Sequence, residues 1–163
     1  SDPDGVEAGG EIKGMGLLPM ETVFQNLKTR TRVSGTFPKV EGALSSLTGV
    51  KLEGYEIHMG ESVLLEGAHP FTEITDHVQN TTKQDGAYCN NVYGSYVHGI
   101  FDKEAVAKNI VKAIGEEKGL DVSEMTGIDF AAFKETQYDK LADGLRKHLD
   151  MKKIYEILEA GLE

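Results

Sequence analysis

The sequence predicts one domain that mixes α and β structure, with strands first and helices after. Three observations predict it. Several stretches before residue 100 alternate between two kinds of side chain at every second position, which is the period of a strand. Beyond Asp102 the apolar residues recur every three to four positions, which is the period of a helix. The chain has 163 residues, 39% hydrophobic and 27% charged, which suits one folded domain with a real core. A complete doubly wound domain would alternate strand and helix more evenly. The order therefore reads either as an α+β domain or as a piece whose alternating βα units lie upstream of Ser1.

Residues 1–19 read as loop, because Gly5, Gly9, Gly10, Gly14 and Gly16 are interspersed there with Pro3 and Pro19. The beginning is abrupt, in turn-type residues and without an initiator methionine, and is expected to be a processed end or the start of a fragment. From Glu21 to Pro38 the pattern is strand-like. In "KTRTRVSGTF", Lys28, Arg30 and Arg32 alternate with Thr29, Thr31 and Val33, so the basic side chains share one face. That face reads as the solvated side of an antiparallel edge strand, with a docking face for an acidic substrate as the alternative.

A second strand is expected near residues 52–60, "LEGYEIHMG", with Tyr55, Ile57 and Met59 on one side and Glu56 and His58 on the other. "PFTEITDH" is a third. "KQDGAYCNN" is a short strand with a turn at Asp85-Gly86. "VYGSYVHGIF" reads as one strand whose Val92, Gly94, Tyr96 and His98 share a face. Asp102 is then a fair N-cap for a helix carrying Val106, Ile110 and Ile114, with Gly119 as its stop. A further helical region follows Asp129, with Phe130, Phe133, Leu141, Leu145 and Leu149 in its stripe; Gly144 and Asp150 mark bends or a break.

The formal net charge is −10, which argues against a nucleic-acid partner. No apolar run is long enough to span a bilayer. The lone cysteine, Cys89, cannot form an internal disulfide, which fits a reducing cytoplasm.

His98 is the best catalytic candidate. It sits at the expected C-terminal end of a strand, beside Gly94, Ser95 and Gly99, and sites in open α/β sheets form at that edge. The alternative is a satisfied core histidine, or one merely exposed in the turn. A histidine base needs a group to activate. Ser95 falls on the opposite strand face, and Cys89 has neither a basic neighbour nor a helix start after it. Neither a nucleophile elbow nor a phosphate loop is present. Glu56 and His58, with His98 from a neighbouring strand, would make an incomplete metal set. A buried polar pair, or support for the site around His98, accounts for them better.

Taken as a set, "DPDGVE", "GMGLLPMETVF", "LEGYEIHMG", "DGAYCNNVYGSYVHGIFD" and "YDKLADGLRKHLDM" resemble the C-terminal glutamine amidotransferase domain of the cobyric acid synthase family. The blocks span almost the whole chain, and "GYEIHMG" with "YGSYVHGIFD" is the specific part. The resemblance implies an α/β fold of the class I glutamine amidotransferase (flavodoxin-like) kind, with a central, mixed and mostly parallel sheet and C-terminal helices. Residues 1–163 would be the C-terminal portion of that domain.

The resemblance also implies a function. The domain hydrolyses glutamine and passes on ammonia. An N-terminal synthetase domain uses ATP and magnesium to activate side-chain carboxylates of a corrinoid, adenosylcobyrinic acid a,c-diamide. No cofactor or metal is expected in the glutaminase part. The histidine of "VHGIFD" is His98, which would be the general acid/base for a cysteine thiolate. The family's nucleophile lies upstream of "DPDGVE", and Cys89 does not match it, so the isolated chain is expected to be inactive. Where many class I relatives carry a triad acid two residues after the histidine, this chain has Ile100, and the resembled family as a whole lacks that acid; Glu56 is the candidate for a supporting role. The competing expectations are a different amidotransferase of the same superfamily, and a non-catalytic docking or pseudo-amidotransferase module partnering a synthetase.

Overall fold

The alternation around "KTRTRV" becomes a long strand, β1 (Met20–Thr36), in a computed structural model that describes residues 1–161. Lys28, Arg30 and Arg32 are exposed along it while Thr31 and Val33 turn inward and are buried. β1 pairs antiparallel with β2 (Lys51–Leu64), with a register shift between Val23 and Lys28. β3 (Thr72–Asp76) lies on the other side of β1, and β4 (Thr82–Asp85) beyond it. β5 (Ala87–Cys89) and β6 (Val92–Gly94) form a separate two-stranded sheet. β7 (Val97–His98) returns to pair with β2, completing a five-stranded sheet of order β4-β3-β1-β2-β7.

A central sheet with helices following it in the chain is thus present. Among the described residues every pairing in it is antiparallel, rather than mostly parallel. The physical reason is local: a parallel neighbour needs a crossover of a dozen or more residues, and no α-helix lies between β1 and β7. The core sits under one face of this sheet. Val33, Leu52, Ile74 and Val97 project from β1, β2, β3 and β7 onto Phe37, Leu47, Phe71 and Val106, all at most 6% exposed.

Three local expectations are corrected. "VYGSYVHGIF" is not one strand, because Ser95 and Tyr96 form a bend between β6 and β7. The Asp85 carboxylate accepts hydrogen bonds from the Ser95 hydroxyl and the Tyr96 N–H, which diverts these residues from a ladder. Asp102 does not occupy the N-cap position, which is that of Lys103. It ends a 3-10 turn, Ile100–Asp102, and α1 (Glu104–Glu117) starts after Lys103. Val106 is buried at the start of that helix and Ile110 packs on the core, but Ile114 is 46% exposed, so the stripe is only partly used. Gly119, at φ +69°, lies beyond the helix end as expected.

Residues Ser1–Gly127 form one compact unit, and a second begins at Ile128. The second holds α2 (Phe130–His148) and α3 (Met151–Ala160). Asp129 and Asp150 cap them by accepting the Ala132 and Lys153 N–H groups. Asp150 therefore marks the break, whereas Gly144 lies inside α2. Among the described residues no helix is long and apolar enough to cross a membrane.

Candidate active site

His98 ends β7, the strand at one edge of the central sheet. Its backbone is held by the register Tyr55↔His98 and Glu56↔Val97. The two strands approach closely at Gly54, where a Cβ would collide with the His98 carbonyl oxygen and press into Val97 Cγ1. Immediately after His98 the chain turns at Gly99, whose φ of +76° lies in the left-handed region that favours glycine. The strand therefore stops with the imidazole exposed.

One hydrogen bond orients the ring. His98 Nδ1 lies 2.9 Å from the carbonyl oxygen of Tyr96. A carbonyl can only accept, so Nδ1 carries the hydrogen. In the neutral ring the Nε2 lone pair is then the basic site. Tyr96 is itself well anchored. Its hydroxyl lies 2.7 Å from Ser62 Oγ and 3.3 Å from Thr22 Oγ1, and its ring stacks on His58 with centroids 4.5 Å apart.

Residues directly opposite in an antiparallel pair point to the same face. His98 thus shares the outer face with Tyr55, and Glu56 shares the core face with Val97. The ladder does not bring Glu56 to His98. It leaves Glu56 only 1% exposed, with Lys83 Nζ 2.6 Å and His58 Nδ1 3.3 Å from Oε1. The His58 approach is too poorly aligned to count as a hydrogen bond, and Glu56 Oε2 has no hydrogen-bond partner among the described residues. His58 reaches the site by one intermediary: it stacks on Tyr96, whose carbonyl holds His98.

This arrangement does not fit a metal. The ammonium of Lys83 already occupies the Glu56 oxygen nearest His58, His98 is on the other face, and no group of three or more His, Cys, Asp or Glu among the described residues could hold an ion. Cys89 lies in β5 of the two-stranded sheet, half-buried, with the Asn90 side-chain amide 3.5 Å from its sulfur. It is not on the strand that carries His98. On the outer face Arg32 lies over the ring of Tyr55, 5.4 Å from its centroid, which ties the basic row of β1 to the cross-strand neighbour of His98.

Two participants went unseen in the sequence. The Tyr96 carbonyl is a backbone group, to which no residue pattern points. Asp85 reads in sequence only as half of an Asp-Gly turn. In the fold it is 5% exposed and accepts from Thr72, Ser95 and Tyr96. The signal available was a carboxylate ten positions before a serine, which is not specific.

The CobB/CobQ-like glutamine amidotransferase domain family matches residues 1–106. Proteins named cobyric acid synthase are similar over nearly the whole chain. The protein of Ruminiclostridium cellulolyticum is 48% identical over 99% of this chain and 32% of its own length. That of Lachnoclostridium phytofermentans is 48% identical over 99% of this chain and 33% of its own, and that of a Thermoanaerobacter species 41% over 97% and 32%. The chain thus spans about a third of the length of these curated relatives.

Proposed function

The chain belongs to the CobB/CobQ-like glutamine amidotransferase domain family, and from that premise we propose that it forms the glutaminase part of a cobyric acid synthase, releasing ammonia from glutamine. The observation that carries the mechanism is the hydrogen bond from His98 Nδ1 to the Tyr96 carbonyl. It leaves Nε2 with its lone pair on an exposed ring at a strand end, which is what a general base requires.

In this reading a cysteine thiol outside these 163 residues gives its proton to His98 Nε2. The thiolate attacks the side-chain carbonyl of glutamine, and the tetrahedral adduct collapses to a thioester as the imidazolium returns the proton to the departing ammonia. Water, deprotonated by the same nitrogen, then releases glutamate. Cys89 is not given the nucleophile's role, because it lies in the separate two-stranded sheet. An N-terminal synthetase domain of the same polypeptide would use the ammonia to amidate side-chain carboxylates of adenosylcobyrinic acid a,c-diamide. ATP and magnesium would act there, and no step in this chain is routed through them.

The test is His98→Ala in the full-length polypeptide. Amidation supported by glutamine should be lost while amidation supported by added ammonium continues. Undiminished use of glutamine by the variant would remove His98 from the reaction and favour a non-catalytic module.

A further inference from the structure

We propose that Asp85 is the positioning acid of this site, acting on His98 through the backbone of residues 95–97; the proposal rests on the reading of His98 as the base. No carboxylate follows His98 in the chain at the triad spacing, since position 100 is Ile100. The orienting acceptor is instead the Tyr96 carbonyl. A carbonyl orients a ring only as well as its own peptide is held. Tyr96 lies in a bend, outside both β6 and β7, so no ladder holds it.

Ser62, Thr22 and His58 anchor the Tyr96 side chain, and Asp85 restrains its backbone. Its Oδ2 accepts from the Ser95 hydroxyl at 2.6 Å and the Thr72 hydroxyl at 2.9 Å, and its Oδ1 accepts from the Tyr96 N–H at 3.3 Å. The same Ser95 oxygen accepts the Val97 N–H at 3.0 Å. Consecutive amides, at 96 and 97, are thereby tied to one carboxylate, directly and through Ser95. The carboxylate does not wander, because it is 5% exposed and Thr72, on the core face of β3, is fully buried. A second contact presses the same segment into place. At Gly86, the residue after Asp85, a Cβ would collide with the carbonyl of Gly94 and approach Ser95 Cα.

A carboxylate suits this position better than an amide. Every group facing it is a donor: two hydroxyls and one N–H. An asparagine would turn an NH2 toward at least one of them. The hydroxyls can rotate to accommodate it, so Asp85→Asn should keep the fold while loosening the peptide that holds His98.

The experiment uses the full-length polypeptide with Asp85→Asn, Ser95→Ala and, as reference, His98→Ala. Both positioning variants should lower kcat for glutamine hydrolysis about tenfold or more, with KM for glutamine within about twofold and ammonium-supported amidation unchanged. In histidine-labelled protein, nitrogen chemical shifts should show the His98 ring as the Nδ1–H tautomer in the parent and as a mixture in the variants, which a merely structural role would not produce. Normal kcat in both variants overturns the proposal. So does a fallen kcat with an unaltered tautomer, or a parallel loss of the ammonium-supported reaction. If Asp85→Asn does not fold, Ser95→Ala decides by the same readouts. If His98→Ala itself still uses glutamine, it is the assignment of the base that fails.

Discussion

Lys83 Nζ lies 2.6 Å from Glu56 Oε1, so a lysine from β4 reaches along the core face of the sheet to a glutamate on β2 that is 1% exposed. The lysine side chain is 47% exposed and keeps much of its hydration, whereas the glutamate has almost none. Removing the lysine leaves a buried carboxylate whose one remaining charged or polar approach among the described residues is the misaligned His58. Lys83→Met is expected to destabilise the chain by about 2 kcal/mol or more. Lys83→Met combined with Glu56→Leu should recover most of that loss, because the pair is then replaced by apolar groups. Urea unfolding of the parent and the two variants measures both. A single variant as stable as the parent would mean that the pair contributes nothing.

Cys89→Ala should leave glutamine-supported amidation by the full-length polypeptide at the parent rate. The sulfur is half-buried beside Asn90, in the small sheet rather than on the strand of His98. A steady-state glutaminase assay checks this. A thousandfold loss would make Cys89 the nucleophile and require a different arrangement of the site.

The difference between what could and could not be read beforehand follows from the kind of interaction. The basic row of β1 was legible because Lys28, Arg30 and Arg32 obey a strict two-residue period, and a period is a property of the sequence. The position of His98 at a strand end was legible because Gly99 follows it. The family was legible in short blocks such as "GYEIHMG". The ion-pair partner of Glu56 was not, since it is a lysine from β4, which two other strands separate from β2. Nor was the bend at Ser95, which a carboxylate ten positions earlier imposes. The alternation in "VYGSYVH" is real, but a side chain competing for backbone N–H groups overrides it.

Acid should weaken the fold in a way that Asp76 controls. Its carboxyl is held below the usual range by the N–H groups of Gln79 and Val78, against the opposing effect of burial, with the Thr31 hydroxyl adding to the lowering. The native pKa is therefore below the unfolded value of about 3.9. The unfolded chain takes up its proton first as pH falls. The stabilisation is complete above the unfolded pKa and is lost as pH drops through the native one. Asp2, bonded by the N–H groups of Glu7, Gly9 and Val6, acts in the same direction. In Asp76→Asn the side-chain oxygen can still accept all three bonds but no longer titrates. Its Tm should fall less steeply than the parent's as pH is lowered from about 5 to about 2. Parallel melting curves across that range would show that Asp76 does not contribute.

Gly54→Ala is expected to reduce glutamine-supported turnover as well as stability. The added methyl would meet the His98 carbonyl and Val97, neither of which is the loose end of a flexible side chain. Overpacking of this kind costs about 1–3 kcal/mol, and relief requires β7 to shift away from β2. Ammonium-supported amidation should persist if the rest of the molecule is intact, so the ratio of the two activities is the measurement. An unchanged ratio would show that β7 can yield without carrying the imidazole with it.

The closeness of β2 and β7 at Gly54 has a wider consequence. In the role proposed for His98 its ring must be placed to within a fraction of an ångström, yet the strand that bears it is two residues long and, among the described residues, bonded along one side only. Its accuracy is borrowed from a neighbour, and what the neighbour lends is vacant space. Natural variation at position 54 should therefore be curtailed by the demands of chemistry at position 98, although the two side chains have nothing to exchange.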